Sequence, residues 1–508
     1  MTAAVATDER LYRFAPLDRT GWMLGFGGAQ CVALGAAILV AGFLLQAGLP
    51  APFVIAPLVV GAAFCFGSWE GRSVGEWVPV LVRHVAKRAL HRERWMAPIP
   101  LFTGTSADVN AAPSLPPFLA GIELADAGAV SWCPATRDSG VALVRDRRDR
   151  TVSASVPVRG REFSLIERAD QERIVQQWGD ALAGFCVERG PVVRARVTEW
   201  SAPAGVADHE SFVADHGADP ACSPARRAYD ELLAEAGPMA VRHETLVTVT
   251  VDPRRVRARK GNDDADATTT DVLLEELRLL TVRLEAAGLA VGAPLSVRDT
   301  AEVFRTRLDP RAAGRLATGV ASLAQLAGIV SLHTPGPLAT AAEWAEVTVD
   351  GSCHRTYWIA EWPRLDVGPN WLEPLLLHAG GVRTFAVHYE PVPPSRSQRR
   401  IDRDSTRLAA DEAQRSRAGF RIGARHRRAQ SAVLEREAEL VAGYAELEYA
   451  GFVVVSASDS ETLAKSCAEY EQVAAQAGLE LRALEGRHDL GLVCALPIGR
   501  GVARRRLA

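Results

Sequence analysis

The clearest pattern along the chain is a long block of apolar and small residues without charge. Residues 20–69 contain no Asp, Glu, Lys, Arg or His. A bilayer core about 30 Å thick requires roughly 20 helical residues, so the block is long enough for spans at residues 22–45 and 51–69. A helical pair in a globular domain would carry polar residues on its outer face. The pattern instead predicts a transmembrane hairpin that turns at Pro50 and Pro52.

Small residues recur on the first of these helices. Glycine occurs at every seventh position, at Gly21, Gly28, Gly35 and Gly42. Helices in lipid associate through close packing of small residues. We therefore expect this stripe to pack against Gly61, Ala63 and Gly67.

Basic residues flank the block on both sides, and Lys and Arg near membrane ends stay cytoplasmic. This predicts a multi-pass protein of the cytoplasmic (inner) membrane with both termini in the cytoplasm. Residues 71–95 read as a basic interfacial helix with an apolar stripe at Val74, Val78, Leu81 and Val85, and such a collar would bind anionic lipid. A solvated basic helix is the alternative. Residues 1–97 thus form the predicted membrane unit.

A proline-rich linker is predicted at residues 98–120, followed by a first cytoplasmic domain at 121–340. Strands are indicated at residues 141–144, 151–158, 192–200 and 245–251, and the helical patterns run through Ile174 to Phe185 and Leu273 to Leu284. This order of strands and helices is typical of split βαβ, ferredoxin-like packing.

A second domain at residues 341–508 repeats the theme. The dipeptide Asp350-Gly351 predicts a hairpin between strands at 344–349 and 356–362. Further strands are predicted at 382–391, 452–457, 479–484 and 491–496, with a helix at 460–477 and a long polar helix at 395–442 as an insertion. The fold class predicted is α+β: a two-helix transmembrane hairpin, then two ferredoxin-like cytoplasmic domains with a long inserted helix.

The net charge and the cysteine spacing exclude some classes of partner and site. The net charge is −3, which argues against a bulk polyanion as partner. Eight cysteines are scattered without a C-x-x-C pair, so the sequence indicates neither a zinc ribbon nor a disulfide framework.

Catalytic motifs are not found in the sequence. None of the three lysines, Lys87, Lys260 and Lys465, completes the phosphate loop G-x-x-x-x-G-K-[ST], and there is no G-x-S-x-G or H-E-x-x-H. We therefore predict no enzyme activity, no catalytic residue and no cofactor.

Two groups of residues imitate metal sites. The first comprises His209, Asp215, His216, Asp219 and Cys222, whose spacing matches no standard site. The second comprises Asn262, Asp264 and Asp266, which begin like a calcium loop but lack its glycine and terminal glutamate. Neither is assigned as a metal site.

The long polar helix is rich in arginine. Residues 396–428 hold eleven arginines against Asp402, Asp404, Asp411 and Glu412. A phosphate-binding surface would have this charge, but the aromatic groups that stack on bases are almost absent, with Phe420 alone. Docking on an acidic partner or on anionic lipid is the preferred interpretation, and nucleic acid is an unlikely partner.

Several stretches resemble a known family. "EWPRLDVGPNWLEPLLL", "VHYEPVPPSRSQRRIDRDS", "GFVVVSASDSETL" and "GLELRALEGRHDLGLVCALPIGRG" resemble the N-terminal, non-ATPase region of the conjugation and type IV secretion ATPases of the CagE/TrbE/VirB type. Members of that family continue into a phosphate-loop motor after a matching leucine- or isoleucine-glycine-arginine-glycine. Here Ala508 is seven residues past Gly501.

The whole layout, including "YRFAPLDRTGWMLGF" and "GRSVGEWVPVLVRH", is similar to an actinobacterial family of membrane proteins. Its members accompany a PrgI-like membrane protein and a separate ATPase in conjugation-like secretion clusters. A more distant resemblance is to EccE of type VII secretion.

These resemblances imply an integral membrane scaffold that docks a separate ATPase at the cytoplasmic face of a secretion or conjugation complex. A homo-oligomer is one assembly that they allow. One alternative is an EccE-like component of type VII secretion. Another is a membrane-bound enzyme with a dispersed active site, which would gather groups such as His209, His354 and His388 in one pocket.

Overall fold

The computed structural model describes residues 11–14, 28–69, 72–97, 115–160, 163–203, 207–216, 223–236, 241–256, 265–311, 336–378, 380–417 and 423–501. Its helices are α1 (Gly28–Gln46), α2 (Ala51–Phe66), α3 (Val74–Ala89), α4 (Arg168–Ala183), α5 (Ala207–His216), α6 (Pro224–Ala236), α7 (Ala265–Ala286), α8 (Val297–Leu308), α9 (Glu373–Leu376), α10 (Pro394–Arg417), α11 (Ala424–Val441), α12 (Ser460–Gln476) and α13 (His488–Cys494). Short 3₁₀ turns lie at Pro134–Thr136 and Pro253–Arg255.

The strands are β1 (Ser68–Trp69), β2 (Arg72–Ser73), β3 (Arg94–Met96), β4 (Ile122–Asp126), β5 (Ala142–Asp146), β6 (Thr151–Arg159), β7 (Val192–Pro203), β8 (Val241–Val251), β9 (Ala290–Val291), β10 (Ala339–Ala342), β11 (Val347–Val349), β12 (Ser352–Glu361), β13 (Val382–Pro391), β14 (Leu447–Ala457) and β15 (Glu480–Ala483). Most were predicted within a few residues, since their β-branched and apolar residues alternate.

Thirteen of these strands form one sheet, in which every neighbouring pair is antiparallel. The order is β3-β10-β11-β12-β14-β13-β7-β8-β6-β5-β4, with β15 on β12 and β9 on β6. The seam between β13 and β7 runs from Arg383 opposite Ser201 to Tyr389 opposite Ala195.

The predicted fold class is therefore wrong in its architecture. Strands of both predicted ferredoxin-like domains hydrogen-bond in a single sheet across the β7–β13 seam. Periodicity in the sequence reveals a strand and its apolar face, but not which edge it will pair with. Two strands expected in separate domains, β7 and β13, thus lie side by side at the centre of the sheet.

Two halves of the sheet have the same layout. We call residues 115–311 the first half and residues 336–501 the second half. The strand order is β9-β6-β8-β7 in the first and β15-β12-β14-β13 in the second. Each half begins with a further hairpin strand pair, β4–β5 or β10–β11, and each carries two helices between its last two long strands, α5 and α6 or α10 and α11. The two halves are therefore copies of one structural repeat.

Helices and loops cover both faces of the sheet. On one face, α4 and α7 bury Leu182 and Leu277 against the first half, and α12 buries Leu463 and Tyr470 against the second. On the other face, α8 and α13 share one cluster that includes Phe304, Leu492 and Ile498 with strand residues of both halves. The second face therefore holds the halves together.

The uncharged block forms α1 and α2, an antiparallel helical pair joined by a turn at 47–50. Among the described residues, no helix has both the length and the apolar character needed to cross a bilayer. At about 1.5 Å per residue, the 16 residues of α2 rise only about 24 Å. The predicted spans at 22–45 and 51–69, and the multi-pass location in the inner membrane with both termini cytoplasmic, are wrong.

The contact between α1 and α2 includes Gly61, as predicted, but on α1 it is made by alanine instead of the predicted glycines. Gly61 lies against Ala37, where an added Cβ would come within 2.5 Å of the alanine methyl group. Ala37 and Ala41 are buried. At Gly35 and Gly42 an added Cβ would meet nothing within 4 Å, so the predicted glycine stripe faces outward; Gly21 lies outside the described residues.

The predicted basic helix at 71–95 ends earlier and docks on the sheet. Helix α3 buries Trp77 and Val80, and β3 pairs with β10 at the sheet edge. Val78, Leu81 and Val85 of the predicted apolar stripe are exposed. Most of the predicted linker, residues 98–114, lies outside the described residues.

Two further elements differ from the predictions. The long helix expected at 395–442 consists of α10 and α11, which pack on each other through Arg436 with Asp404 and Gln430 with Glu412, each at 2.5 Å. The strand expected at 491–496 is the C-terminal half of helix α13 and the loop after it. A short apolar run buried on all sides has no period that separates helix from strand.

Candidate docking site

The segment His488–Gly501, which we call the second arm, crosses the face of the sheet above the β7–β13 seam. It consists of α13 and the loop after it, and it contains the sequence Leu496 to Gly501 on which the family resemblance partly rests. Leu496 and Ile498 are fully buried. The arm is thus part of the core, and its polar main chain must be satisfied by the strands beneath it.

Side chains of the seam bind the carbonyl groups of the second arm. His388 Nε2 donates to Cys494 O at 2.9 Å. Arg196 donates to Leu496 O at 2.5 Å and to Arg500 O at 2.7 Å. The last carbonyl groups of a helix have no partner within that helix, so His388 satisfies the end of α13, while Arg196 satisfies carbonyl groups of the loop after it.

Both side chains are completely buried. Burial lowers the pKa of Arg196 to about 9. Burial, with the nearby positive charge of Arg196, holds the pKa of His388 well below its ordinary value. His388 is therefore neutral, with its proton on Nε2 and with Nδ1 facing the Arg196 guanidinium at 3.5 Å.

The end of the arm is fixed by ion pairs to both halves. Arg500 donates to the buried Asp146 carboxylate at 2.7 Å, and the Gly501 amide donates to Asp149 at 2.7 Å. Arg194 donates to Gly499 O and pairs with Glu390 at 2.8 Å. The hairpin turn of the first half therefore clamps a segment that belongs to the second half.

The positions on either side of Arg500 leave no space for a side chain, which explains why both are glycine. An added Cβ at Gly499 would lie 2.5 Å from the Thr250 side chain, and one at Gly501 would lie 2.3 Å from the Arg194 guanidinium. The pattern Ile-Gly-Arg-Gly thus combines a buried apolar anchor, two close approaches of the main chain and one ion-pairing side chain.

The repeat has a counterpart of this arm. The first arm, Val297–Arg311, crosses to the second half, where Arg305 pairs with Asp350 in the β11–β12 turn and Asp309 accepts from Ser352 at 2.8 Å. His354 donates to Leu308 O at 2.9 Å. Each half therefore extends an arm that is held by the hairpin turn of the other half.

The N-terminal elements attach to the same region. Lys87 of α3 pairs with Asp489 at the start of the second arm at 2.8 Å. Trp77 stacks on Trp344 with ring centroids 6.0 Å apart, and Trp344 O accepts from the Gly486 amide at 2.7 Å. Helix α3 is thereby fixed relative to the arm.

A second attachment involves residues 11–14. Tyr12 forms a β-bridge with Val367, and Arg13 pairs with Asp366 at 2.9 Å. The ring of Phe14 lies 5.3 Å from Trp362 and 5.1 Å from Trp371. Two of the stretches that carry the family resemblance, around Tyr12 and around Trp371, are therefore in direct contact.

The described members of the two groups that imitate metal sites make other contacts. His209 contacts the Tyr229 hydroxyl at 2.5 Å, and His216 contacts Phe212 O. Asp219 and Cys222 lie outside the described residues, as do Asn262 and Asp264, while Asp266 pairs with Arg145 at 3.0 Å. Among the described residues, no group of three or more His, Cys, Asp or Glu is arranged to hold a metal ion.

The histidines of the dispersed active-site alternative are also apart. His354 pairs with Ser456 of β14 and His388 pairs with Ala450 of the same strand, a separation of roughly 20 Å along the strand at about 3.3 Å per residue. His209 lies on α5. His354 and His388 each donate a hydrogen bond to a main-chain carbonyl, and the two side chains are not neighbours.

Sequence reasoning did not identify the arms. Arg196, His388 and Asp146 lie in strands, where the alternation marks them only as residues on one face. The pattern Ile-Gly-Arg-Gly was one available signal, and it was used for resemblance instead of geometry. A buried arginine in a strand surrounded by Val and Thr would have been a second signal, since arginine is rarely buried without a partner.

Comparison with protein-family models finds none that matches the chain, and comparison with curated proteins finds no similar sequence.

Proposed function

We propose that the protein is a docking component of a conjugation-like or secretion complex, and that it receives a separate ATPase where the second arm ends. One observation carries the proposal: the Ile498 to Gly501 stretch is anchored at the molecular seam with its end at the surface turn of Asp149. In the family that the chain resembles, the motor follows the matching stretch.

The surface around the end of the arm has a definite charge. The β5–β6 turn next to Gly501 exposes Arg147, Arg148 and Arg150, while Asp146 and Asp149 are engaged with the arm. A rigid basic turn of this kind suits an acidic surface of a partner, because complementary charges guide association and fix its orientation.

Binding to an ATPase tests the proposal. We expect a phosphate-loop ATPase encoded in the same conjugation-like gene cluster to co-purify with the full chain. The double variant Arg148→Glu/Arg150→Glu should weaken that binding roughly tenfold or more, since it reverses the charge of the turn. Biolayer interferometry at two salt concentrations measures the effect.

The matched control is Lys465→Glu, an exposed residue of α12 on the opposite face of the sheet. It should bind the ATPase as the wild type does. Failure of the wild-type protein to bind any ATPase of its cluster would overturn the proposed function. Equal binding by the double variant and the wild type would overturn the assignment of the surface.

A further inference from the structure

The two halves carry helical hairpins of opposite charge at equivalent positions. Helices α5 and α6, the acidic hairpin, connect β7 to β8 and hold six Asp and Glu against two Arg. Helices α10 and α11, the basic hairpin, connect β13 to β14 and hold eleven Arg against seven Asp and Glu. The formal charges are therefore −4 and +4 with neutral histidines.

The two hairpins lie at opposite ends of the sheet. Strands β7 and β13 are antiparallel neighbours, so the end of β7 at Pro203 and the end of β13 at Pro391 point in opposite directions. The register places these ends about ten residues apart, or roughly 33 Å along the strands. The acidic hairpin of one chain is thus directed away from the basic hairpin of that same chain.

The acidic hairpin exposes both acidic and apolar side chains. Arg226 is engaged with Asp230 at 2.9 Å, whereas Asp215, Glu231 and Glu235 are exposed. Three apolar or aromatic side chains on the same helices are also exposed, by 59% for Phe212, 57% for Leu232 and 38% for Tyr229.

The basic hairpin has the complementary composition. Three of its seven acidic groups are used inside the hairpin: Asp404 binds Arg436, Asp411 binds Arg415 and Glu412 binds Gln430. Arg396, Arg403, Arg417 and Arg427 are exposed and make no ion pair within the described part of the chain. Leu434 and Val441 are exposed by 64% and 81%.

We infer that the acidic hairpin of one copy of the chain docks on the basic hairpin of a second copy. Apolar groups surrounded by charged groups are the usual composition of a protein interface, and here the two surfaces have opposite signs. Because one copy carries both surfaces, the contact is either reciprocal within a dimer or head-to-tail within a larger assembly. This inference stands apart from the proposed function, since it needs no ATPase.

Charge reversal on each hairpin tests the inference. The full chain is measured by analytical ultracentrifugation in a mild non-ionic detergent, which covers the exposed apolar residues of α1 and α2. We expect assemblies at 50 mM salt that dissociate at 500 mM, because salt screens exposed charges. The variants Glu231→Arg/Glu235→Arg and Arg399→Glu/Arg403→Glu should each associate roughly tenfold more weakly.

Mixing the two variants shows whether weaker association comes from a lost contact or from a failure to fold. The two variants together should form mixed assemblies, because the unchanged basic hairpin of the first can bind the unchanged acidic hairpin of the second. The exposed pair Arg173→Glu/Asp170→Arg on α4 serves as the control and should associate as the wild type does. A wild type that is monomeric at 50 mM salt, or variants that fail to pair when mixed, would overturn the inference. A basic hairpin that binds a DNA duplex while the chain stays monomeric would overturn it as well.

Discussion

At the scale of single residues, the structure depends on side chains that stay neutral or paired inside the sheet. His354 is fully buried, accepts from Ser456 Oγ at 2.8 Å and donates to Leu308 O at 2.9 Å. Burial lowers the pKa of this imidazole to about 4. The native state therefore holds His354 in its neutral form at pH values where a histidine in the unfolded chain is already protonated.

This difference makes stability depend on pH. The unfolded histidine takes up a proton near pH 6.5, while native His354 does so only near pH 4. Stability is then fully present above about pH 7 and decreases as the pH falls. At pH 5 the free energy of unfolding should be lower by about 2 kcal/mol from this residue alone. Urea unfolding at pH 7.5 and pH 5 measures the decrease.

The variant His354→Gln should lose about 2 kcal/mol of this pH dependence, because Gln does not titrate. His216→Gln, at an exposed position on α5, should keep the wild-type decrease. A decrease of the same size in all three proteins would contradict the assignment to His354.

Some of the residue positions in the structure could be predicted from the sequence. The apolar strand positions were placed correctly because alternation marks them. Arg196, His388 and His354 could not be assigned, since each is held by a main-chain carbonyl of a distant segment, and such a partner leaves no local pattern. The glycines at 499 and 501 were recognised as a motif, but their reason is the approach of Thr250 and Arg194.

At the scale of elements, α1 and α2 show how one small residue sets a helix pair. Gly61 is the point of closest approach, with Ala37 opposite it. The turn at 47–50 joins the two helices. Any side chain at position 61 requires the helices to move apart, because the methyl group of Ala37 occupies that space.

Substitution of this glycine should loosen the pair. In Gly61→Leu we expect faster cleavage of the 47–50 turn in limited proteolysis followed by mass spectrometry, since separated helices leave the turn less protected. Gly35→Leu is the matched control: it has the same gain in helix propensity, of about 1 kcal/mol, and open space around the new side chain. Equal cleavage of both variants would contradict the packing.

Helices and strands were predictable to different degrees. Strand β13 and helix α12 were predicted with accurate or nearly accurate bounds, since their periods are regular over many residues, whereas β14 begins five residues before its predicted start at 452. Helix α13 was predicted as a strand because every side is buried. The division between α10 and α11 was missed because residues 418–422, Ala-Gly-Phe-Arg-Ile, were read as a continuation of one helix; these residues lie outside the described ranges.

At the scale of the whole molecule, the exchanged arms make each half incomplete without the other. Arg500 of the second half neutralises Asp146 of the first half, and Asp146 is only 2% exposed. Arg305 of the first half pairs with Asp350 of the second. Together with the β7–β13 seam, these contacts predict that the halves unfold in one transition.

Breaking one arm contact should lower the stability of both halves together. Arg500→Met leaves the buried Asp146 carboxylate without its guanidinium partner, which costs about 3–5 kcal/mol. Urea transitions followed by tryptophan fluorescence and by far-UV circular dichroism should shift equally. Asp146→Asn combined with Arg500→Met should cost less than the sum of the single variants, because the two groups interact directly.

The control for this prediction is Arg173→Met, which removes an exposed pair with Asp170 on α4 and should cost about 0.5 kcal/mol or less. Two separate transitions, or a change confined to one spectroscopic signal, would contradict a jointly stabilised pair of halves.

The pairing of the two halves was the part of the fold furthest from sequence reasoning. The second half was predicted to repeat the theme of the first, and the repeated strand order agrees with that expectation. Whether two sheets stay separate or join depends on the edges of β7 and β13, and edge complementarity is a three-dimensional property.

The pairing of β3 with β10 bears on synthesis at the ribosome. Met96 and Ala339 are partners, so roughly 240 residues must be added before β3 can find its place. At about 5–20 residues per second, this interval lasts tens of seconds. The contact between Phe14 and Tyr449 forms later still, because Tyr449 is synthesised after Ala339. Strand β3 and the apolar helices α1 and α2 before it are therefore exposed to aggregation in the nascent polypeptide until β10 has been made.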